Sequence, residues 1–301
     1  MKAGIEPLET FTVRLGTQRL RVAIGGAPDA ERTLLLFNGI GASVETMAPF
    51  MARFAHTRVV TFDAPGVGES PAPWLPYRPR DIARLGADLL THLGVQRAHV
   101  FGVSWGGAAA QEFAINHPRR CSTLTLAATC AGIVMVPGRL NVLLKMLSPR
   151  RYVDPAYLMR IGGDLYGGEL RFETELLQLH AQSMRSPSWH GYFYQLLATA
   201  GWTSWPWLKR VQAPALVMMG SDDPIVPPVN GRIIAAGLPQ ATLETVDCGH
   251  LFVLTRAAQT ARRIERFMDQ HAGACSPPSC RAAGGRSRNR PRGAGGGDPS
   301  T

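Results

Sequence analysis

The stretch AHVFGVSWGGAAA, residues 98–110, constrains this chain more than any other. An apolar run climbs into Gly102-Val103-Ser104-Trp105-Gly106 and passes directly into small, helix-compatible residues, a pattern that predicts strand, sharp turn and helix. A serine at the apex of such a turn is held in a strained backbone conformation. Glycines flank it because a side chain at either position would collide with the neighbouring strand or helix. Ser104 is therefore expected to stand above a sheet, at a helix N-terminus whose N–H groups and dipole favour developing negative charge. That is the setting of a nucleophile, and the peptide N–H of Trp105 is placed to help bind an oxyanion.

The flanking chain supplies the sheet. Residues 10–24 alternate apolar and polar about Gly16-Thr17 and read as a hairpin. Thr33–Phe37 is continuously apolar, as a strand covered on both faces would be, and ends in Asn38-Gly39-Ile40-Gly41. If that strand neighbours the Ser104 strand, the N–H of Ile40 becomes the second oxyanion donor; a plain strand-to-helix turn is the alternative. A helix over 43–55 and a strand over 58–62 follow, then Asp63-Ala-Pro-Gly-Val-Gly-Glu-Ser70. The Gly-x-Gly in that segment lacks the third glycine and the following helix of a dinucleotide loop, and no cofactor or metal is expected. Helices over 80–93 and 106–117 and strands over 98–103 and 124–128 complete an alternation that implies a mostly parallel sheet with helices on both faces.

Between about Ile133 and Val211 no buried strand is evident. That stretch nevertheless holds four of the six tryptophans (Trp189, Trp202, Trp205, Trp207) and five of the six tyrosines. Helical segments near 138–147, 154–161, 171–185 and 190–199 suggest a lid over the carboxyl edge of the sheet, with most of the aromatic residues forming its core. The turn GWTSWPW, with Trp202 and Trp205, is expected to face an apolar substrate, because amphipathic rings suit a half-wet apolar surface.

Strands over 214–220 and 242–246 then lead into Ser221-Asp222-Asp223-Pro224 and Asp247-Cys248-Gly249-His250, and a helix over 257–271 closes the domain. Serine, acid and histidine thus each follow a strand, in the order an α/β-hydrolase triad requires. Of the paired acids, Asp223 is assigned to the triad because Pro224 fixes its loop. Asp222 is read as a solvated or turn-capping neighbour. His250 would take the Ser104 proton, with Asp223 orienting the imidazole. The domain reading is core over 1–132, helical lid over 133–211, core again over 212–272, and a basic tail over 273–301.

Charge has to be placed before it is interpreted. The net charge is +10, but five arginines of the tail (281, 286, 288, 290, 292) against Asp298 give that segment +4 of it. A Gly/Pro/Arg/Ser-rich segment without bulky apolar residues cannot offset its ordering entropy, so the tail is expected to be disordered: a solvated appendage, with weak attraction to an acidic surface as the alternative. No nucleic-acid motif accompanies it. No apolar run reaches the roughly 18 residues of a membrane span, no export signal is evident, and five irregularly spaced cysteines suit a reducing compartment. The expectation is a cytoplasmic protein.

The segments FNGIGAS, DAPGVGES, FGVSWGGAAAQEFA, CSTLTLAATCAGIVMVPG, SPRRYVDP, GWTSW, DDPIVPP and GHLFVLTRA together resemble the bacterial intracellular medium-chain-length poly(3-hydroxyalkanoate) depolymerases, from about residue 10 to 270. The resemblance implies an α/β-hydrolase fold with a helical lid and matches Ser104, Asp223 and His250 to the family's triad. It further implies cleavage of a polyester stored in cytoplasmic granules to 3-hydroxy acids or oligomers. A general carboxylesterase or lipase shares every triad argument, and a non-catalytic binding protein of the same fold would have lost a triad member.

Overall fold

The protein, described by a computed structural model over residues 8–148, 150–183 and 189–272, is built on one eight-stranded sheet. Its strands are β1 (Glu9–Leu15), β2 (Gln18–Gly26), β3 (Thr33–Phe37), β4 (Arg58–Phe62), β5 (Ala98–Val103), β6 (Cys121–Ala127), β7 (Ala215–Gly220) and β8 (Ala241–Val246). Their spatial order is β1-β2-β4-β3-β5-β6-β7-β8. The β1–β2 and β2–β4 pairs are antiparallel and the remaining pairs parallel. The hairpin about Gly16-Thr17, the alternation of strand and helix and the mostly parallel sheet follow the sequence expectation.

Helices α1 (Val44–Met51), α2 (Pro79–His92) and α3 (Trp105–Asn116) connect the first parallel strands. The connection from β6 to β7 carries α4 (Leu140–Leu147), α5 (Arg150–Val153), α6 (Pro155–Tyr166), α7 (Thr174–Ser183) and α8 (Trp189–Thr199). Helices α9 (Val229–Gly237), α10 (Phe252–Thr255) and α11 (Ala257–Gln270) finish the described chain. Two apolar layers form because side chains alternate along each central strand. Leu35, Phe37 and Val100 pack with α2, α3 and α9, whereas Leu34, Leu36 and Phe101 pack with α1, α10 and α11. Every residue of β3, β5 and β7 is buried, which explains why these strands read as unbroken apolar runs.

Several boundaries differ from the sequence reading. The first helix ends at Met51 rather than 55, the helix read over 154–161 continues to Tyr166, and the one read over 171–185 is Thr174–Ser183. Strand β6 begins at Cys121, directly after a 3-10 turn over Pro118–Arg120, because its polar start is buried and bonded: His99 Nδ1 lies 2.8 Å from Thr123 Oγ1. The tail over 273–301, with Cys275 and Cys280, lies outside the described residues. Cys130 and Cys248 are free thiols, the buried Cys121 thiol donates to Thr123 O at 3.5 Å, and among the described residues no helix is long and apolar enough to cross a membrane.

Candidate active site

Ser104 follows β5 and precedes α3 with φ 53° and ψ −119°, and only Ala128 among the other described non-glycine residues also has positive φ. Its neighbours show why the motif needs glycine. A Cβ at Gly102 would stand 2.5 Å from the Gly106 carbonyl oxygen, and one at Gly106 would stand 2.1 Å from that of Phe37. The strained turn can exist only because α3 lies this close to both β5 and the end of β3.

The parallel sheet brings the other members together. The loops after β7 and β8 are laced to each other by Ser221 N–H to Val246 O (2.8 Å) and Asp222 N–H to Cys248 O (3.1 Å), and the His250 N–H donates to Tyr166 O of α6 (2.7 Å). So held, His250 places Nε2 3.0 Å from Ser104 Oγ and Nδ1 2.7 Å from Asp223 Oδ2. Asp223 is fixed in turn by Ile225 and Val226, whose N–H groups both donate to Oδ1 at 2.9 Å. Asp222 is partly exposed, as the solvated or turn-capping neighbour of the sequence reading would be. It forms an ion pair with Arg171 and accepts the Gly168 N–H at 2.9 Å, tying the insert to the core.

The two N–H groups expected to receive an oxyanion lie at the right end of the sheet. Pairing of Phe37 with Gly102 sets the loop after β3 beside the serine, and Ile40, Ser104 and Trp105 line one cavity together. The loop is held from above by the buried Gln195 of α8: the Gly41 N–H donates to its Oε1 at 2.7 Å, and the Trp105 indole N–H donates to its backbone oxygen at 2.8 Å. It is held from below by Asp63, whose carboxylate accepts the N–H groups of Val44 (2.7 Å) and Glu69 (2.9 Å). Burial lifts the Asp63 carboxyl to about 6 despite those bonds and nearby Arg21.

Ser104 opens on two spaces. The narrower, of about 50 Å³, is lined by Met47, Leu254, Ile225, Arg151, Tyr166 and His180. The wider, of about 330 Å³, is lined by Ile133, Met135, Leu143 and Trp202. Trp202 therefore lines a space shared with the serine, its indole N–H donating to Glu112 Oε1 at 2.8 Å. Trp205 lines neither space. It opens the 3-10 turn over Trp205–Arg210, and its ring lies beside Gly237 of α9, because the buried Ser204 bonded to Gln111 turns the chain away. Arg151, Tyr166, His180 and Gln195 were not singled out from sequence. The only signal for Arg151 was its place in SPRRY, while a buried His or Gln on an apolar helix carries no mark of the partner it will meet.

A strained serine after the fifth strand, served by residues from the ends of the seventh and eighth, defines a class of hydrolases by its geometry. Residues 32–257 match the model of the α/β hydrolase fold family, and the chain belongs to that family. The poly(3-hydroxyalkanoate) depolymerase of Ectopseudomonas oleovorans is 46% identical over 266 residues, covering 88% of this chain and 94% of the relative, which bears out the resemblance drawn from the motifs. A 2-hydroxy-6-oxononadienedioate/2-hydroxy-6-oxononatrienedioate hydrolase from Paraburkholderia phymatum is 31% identical over 272 residues, covering 85% of this chain and 93% of that protein. The solved enol-lactonase from Burkholderia xenovorans LB400 superposes with a TM-score of 0.74 at 22% identity, covering 86% of this chain and 100% of that one, a likeness of fold.

Proposed function

We propose that the protein is a serine hydrolase that cleaves the ester bonds of medium-chain-length poly(3-hydroxyalkanoate) to 3-hydroxy acids or short oligomers, at granules in the cytoplasm. The observation that carries this reading is the Ser104–His250–Asp223 relay opening on two largely apolar cavities beneath the helical insert. The 46% identical depolymerase favours a polyester over a small ester as substrate.

The geometry supports the following steps. As Ser104 Oγ attacks the ester carbonyl carbon, its proton passes to His250 Nε2, and the Asp223 carboxylate stabilises the resulting imidazolium through Nδ1–H. The carbonyl π electrons move to oxygen, where the N–H groups of Trp105 and Ile40 receive the negative charge. Collapse breaks the C–O bond, the departing alkoxide takes the proton from His250, and an acyl-enzyme remains. Water, deprotonated by His250, attacks the acyl carbon; the new carboxylic acid leaves and Ser104 regains its proton.

The insert acts as the lid in this reading. Helix α4 presents apolar side chains both ways: Leu143 and Met146 line the cavity, whereas Leu140, Leu144 and Leu147 are exposed, and Ile133 is both exposed and part of the cavity lining. Exposed apolar side chains on the insert suit an insoluble polyester surface. The reading is tested by incubating purified protein and its Ser104→Ala variant with amorphous medium-chain-length polyester granules and, separately, a soluble nitrophenyl ester. Release of 3-hydroxy acids from the granules by the parent alone is expected. Turnover of the soluble ester only would leave a general esterase.

A further inference from the structure

The chain between β4 and α2 reads Pro71-Ala72-Pro73-Trp74-Leu75-Pro76-Tyr77, and no charged residue stands between Glu69 and Arg78. Trp74 is 97% exposed, the most of any large apolar side chain among the described residues, and Leu75 beside it is 75% exposed. Apolar side chains scattered singly on a surface need no explanation. A tryptophan and a leucine adjacent at the tip of an uncharged loop differ from that, above all when the loop is stiff.

This loop is stiff in its covalent structure and in its contacts. Pro71, Pro73 and Pro76 fix their own φ and keep Ala72 and Leu75, each of which precedes a proline, in extended conformation. Gln18 Nε2 donates to Pro71 O at 2.9 Å. The Tyr77 ring is buried against Trp105, and its hydroxyl donates to Pro65 O at 3.1 Å. The Arg78 guanidinium donates to Ala200 O at 2.9 Å and Leu197 O at 3.2 Å, and the Tyr194 hydroxyl donates to Trp74 O at 3.5 Å. A loop tied down on both sides presents its two apolar side chains with little conformational entropy left to lose when they bind.

We infer that Trp74 and Leu75 form a rigid anchor that seats the enzyme on the apolar surface of the solid polyester. The inference rests on the depolymerase reading above. Such a surface is uncharged and offers alkyl groups and ester carbonyl oxygens. The loop is its complement: it carries no charge, and the indole supplies an apolar body with an N–H donor at its edge. The place of the loop also fits. It leans on α8, which exposes Phe193 and Leu197 one turn apart. Thr199, five residues or about 7.5 Å further along that helix than Tyr194, lines the wider cavity at Ser104 together with Trp202. Seating the loop therefore holds that cavity close to the solid from which a chain has to be drawn.

The test uses the full chain carrying Ser104→Ala, so that the solid is not consumed, and sediments it with amorphous medium-chain-length polyester granules. Immersing half of an indole's surface is worth on the order of 50-fold in partitioning, so Trp74→Ser with Leu75→Ser should weaken binding at least ~10-fold. Trp74→Phe should restore most of it. With Ser104 present, the double substitution should slow release of 3-hydroxy acids from granules and leave turnover of a soluble nitrophenyl ester unchanged. Should the double variant not fold, acrylamide quenching decides: granules should shield the emission that the parent has and Trp74→Phe lacks. Unchanged granule binding, or equal quenching of Trp74 on and off the granules, overturns the anchor and leaves the depolymerase reading standing. Two further results overturn it by giving the loop another occupant. Self-association lost by light scattering while granule binding persists assigns it to a second copy, and tighter binding to phosphatidylcholine vesicles than to granules assigns it to lipid. No release of hydroxy acids by the parent overturns both readings.

Discussion

Asp223→Asn separates chemistry from folding at a single atom. In the parent, Oδ1 holds two N–H groups, those of Ile225 and Val226, and Oδ2 faces His250 Nδ1 at 2.7 Å. An asparagine can keep its carbonyl oxygen on the two backbone donors, so the loop after β7 keeps its anchors and stability should fall by no more than about 1 kcal/mol. The amide NH2 then occupies the place of Oδ2, and it can only donate. His250 must answer with a lone pair on Nδ1, which moves the ring hydrogen to Nε2 and points it at Ser104 Oγ, 3.0 Å away. The base is thereby blocked and the imidazolium loses its counter-charge. In a serine protease that substitution costs about 10⁴ in kcat, which corresponds to about 5.5 kcal/mol of transition-state stabilisation. The assay is kcat on a soluble nitrophenyl ester beside a urea titration, with Asp222→Asn as the comparison. Asp222 meets Arg171 and Gly168 instead of the histidine, so that variant should retain most of its turnover. A kcat for Asp223→Asn within tenfold of the parent, at unchanged urea midpoint, would refute this account of the relay.

Gln195→Leu leaves the buried Gly41 N–H without its acceptor, and a denaturant titration should show a loss of about 1–3 kcal/mol at unchanged m; an unaltered midpoint would mean that the β3 loop is held by other contacts. Gly106→Ala places a methyl group 2.1 Å from the Phe37 carbonyl oxygen, so the helix must shift, and the variant should lose several degrees in Tm and its ester turnover together. Asp63 gives a pH signature. Its folded pKa of about 6 is raised above the unfolded value near 3.8, so its contribution is complete below pH 4 and lost as pH rises through 6, a decline of about 3 kcal/mol. Carboxyl NMR of the folded protein should find this group titrating near 6, and a midpoint below 4 would contradict the burial argument.

What the sequence disclosed and what it withheld divide along sequence distance. Ser104, Asp223 and His250 each sit within a few residues of a strand end, so local periodicity by itself places all three at one edge of the sheet. The same holds for Ile40, because its neighbourhood to the serine follows from β3 lying beside β5. The sheet was legible for the same reason: unbroken apolar runs of five or six residues have few other uses in a chain of this composition.

The insert obeys different rules. Its helices are amphipathic, and an apolar face reads identically whether it packs on a neighbour or lines a cavity. Nothing local separates Trp202, which reaches the serine's cavity, from Trp205 three residues on, because the decision falls to Ser204 and its bond to Gln111 on a distant helix. Arg171 with Asp222, Gln195 with Gly41, and Tyr166 with His250 are likewise pairings between the insert and the core. The reaction is thus written in local motifs, whereas the shape and polarity of the space beside Ser104 are written in contacts between helices that the motifs do not mention. Substitutions at His180 or Trp202 should accordingly change which ester is accepted while the relay at Ser104 keeps its geometry, since their side chains bond to Tyr166 and Glu112 rather than to a member of that relay.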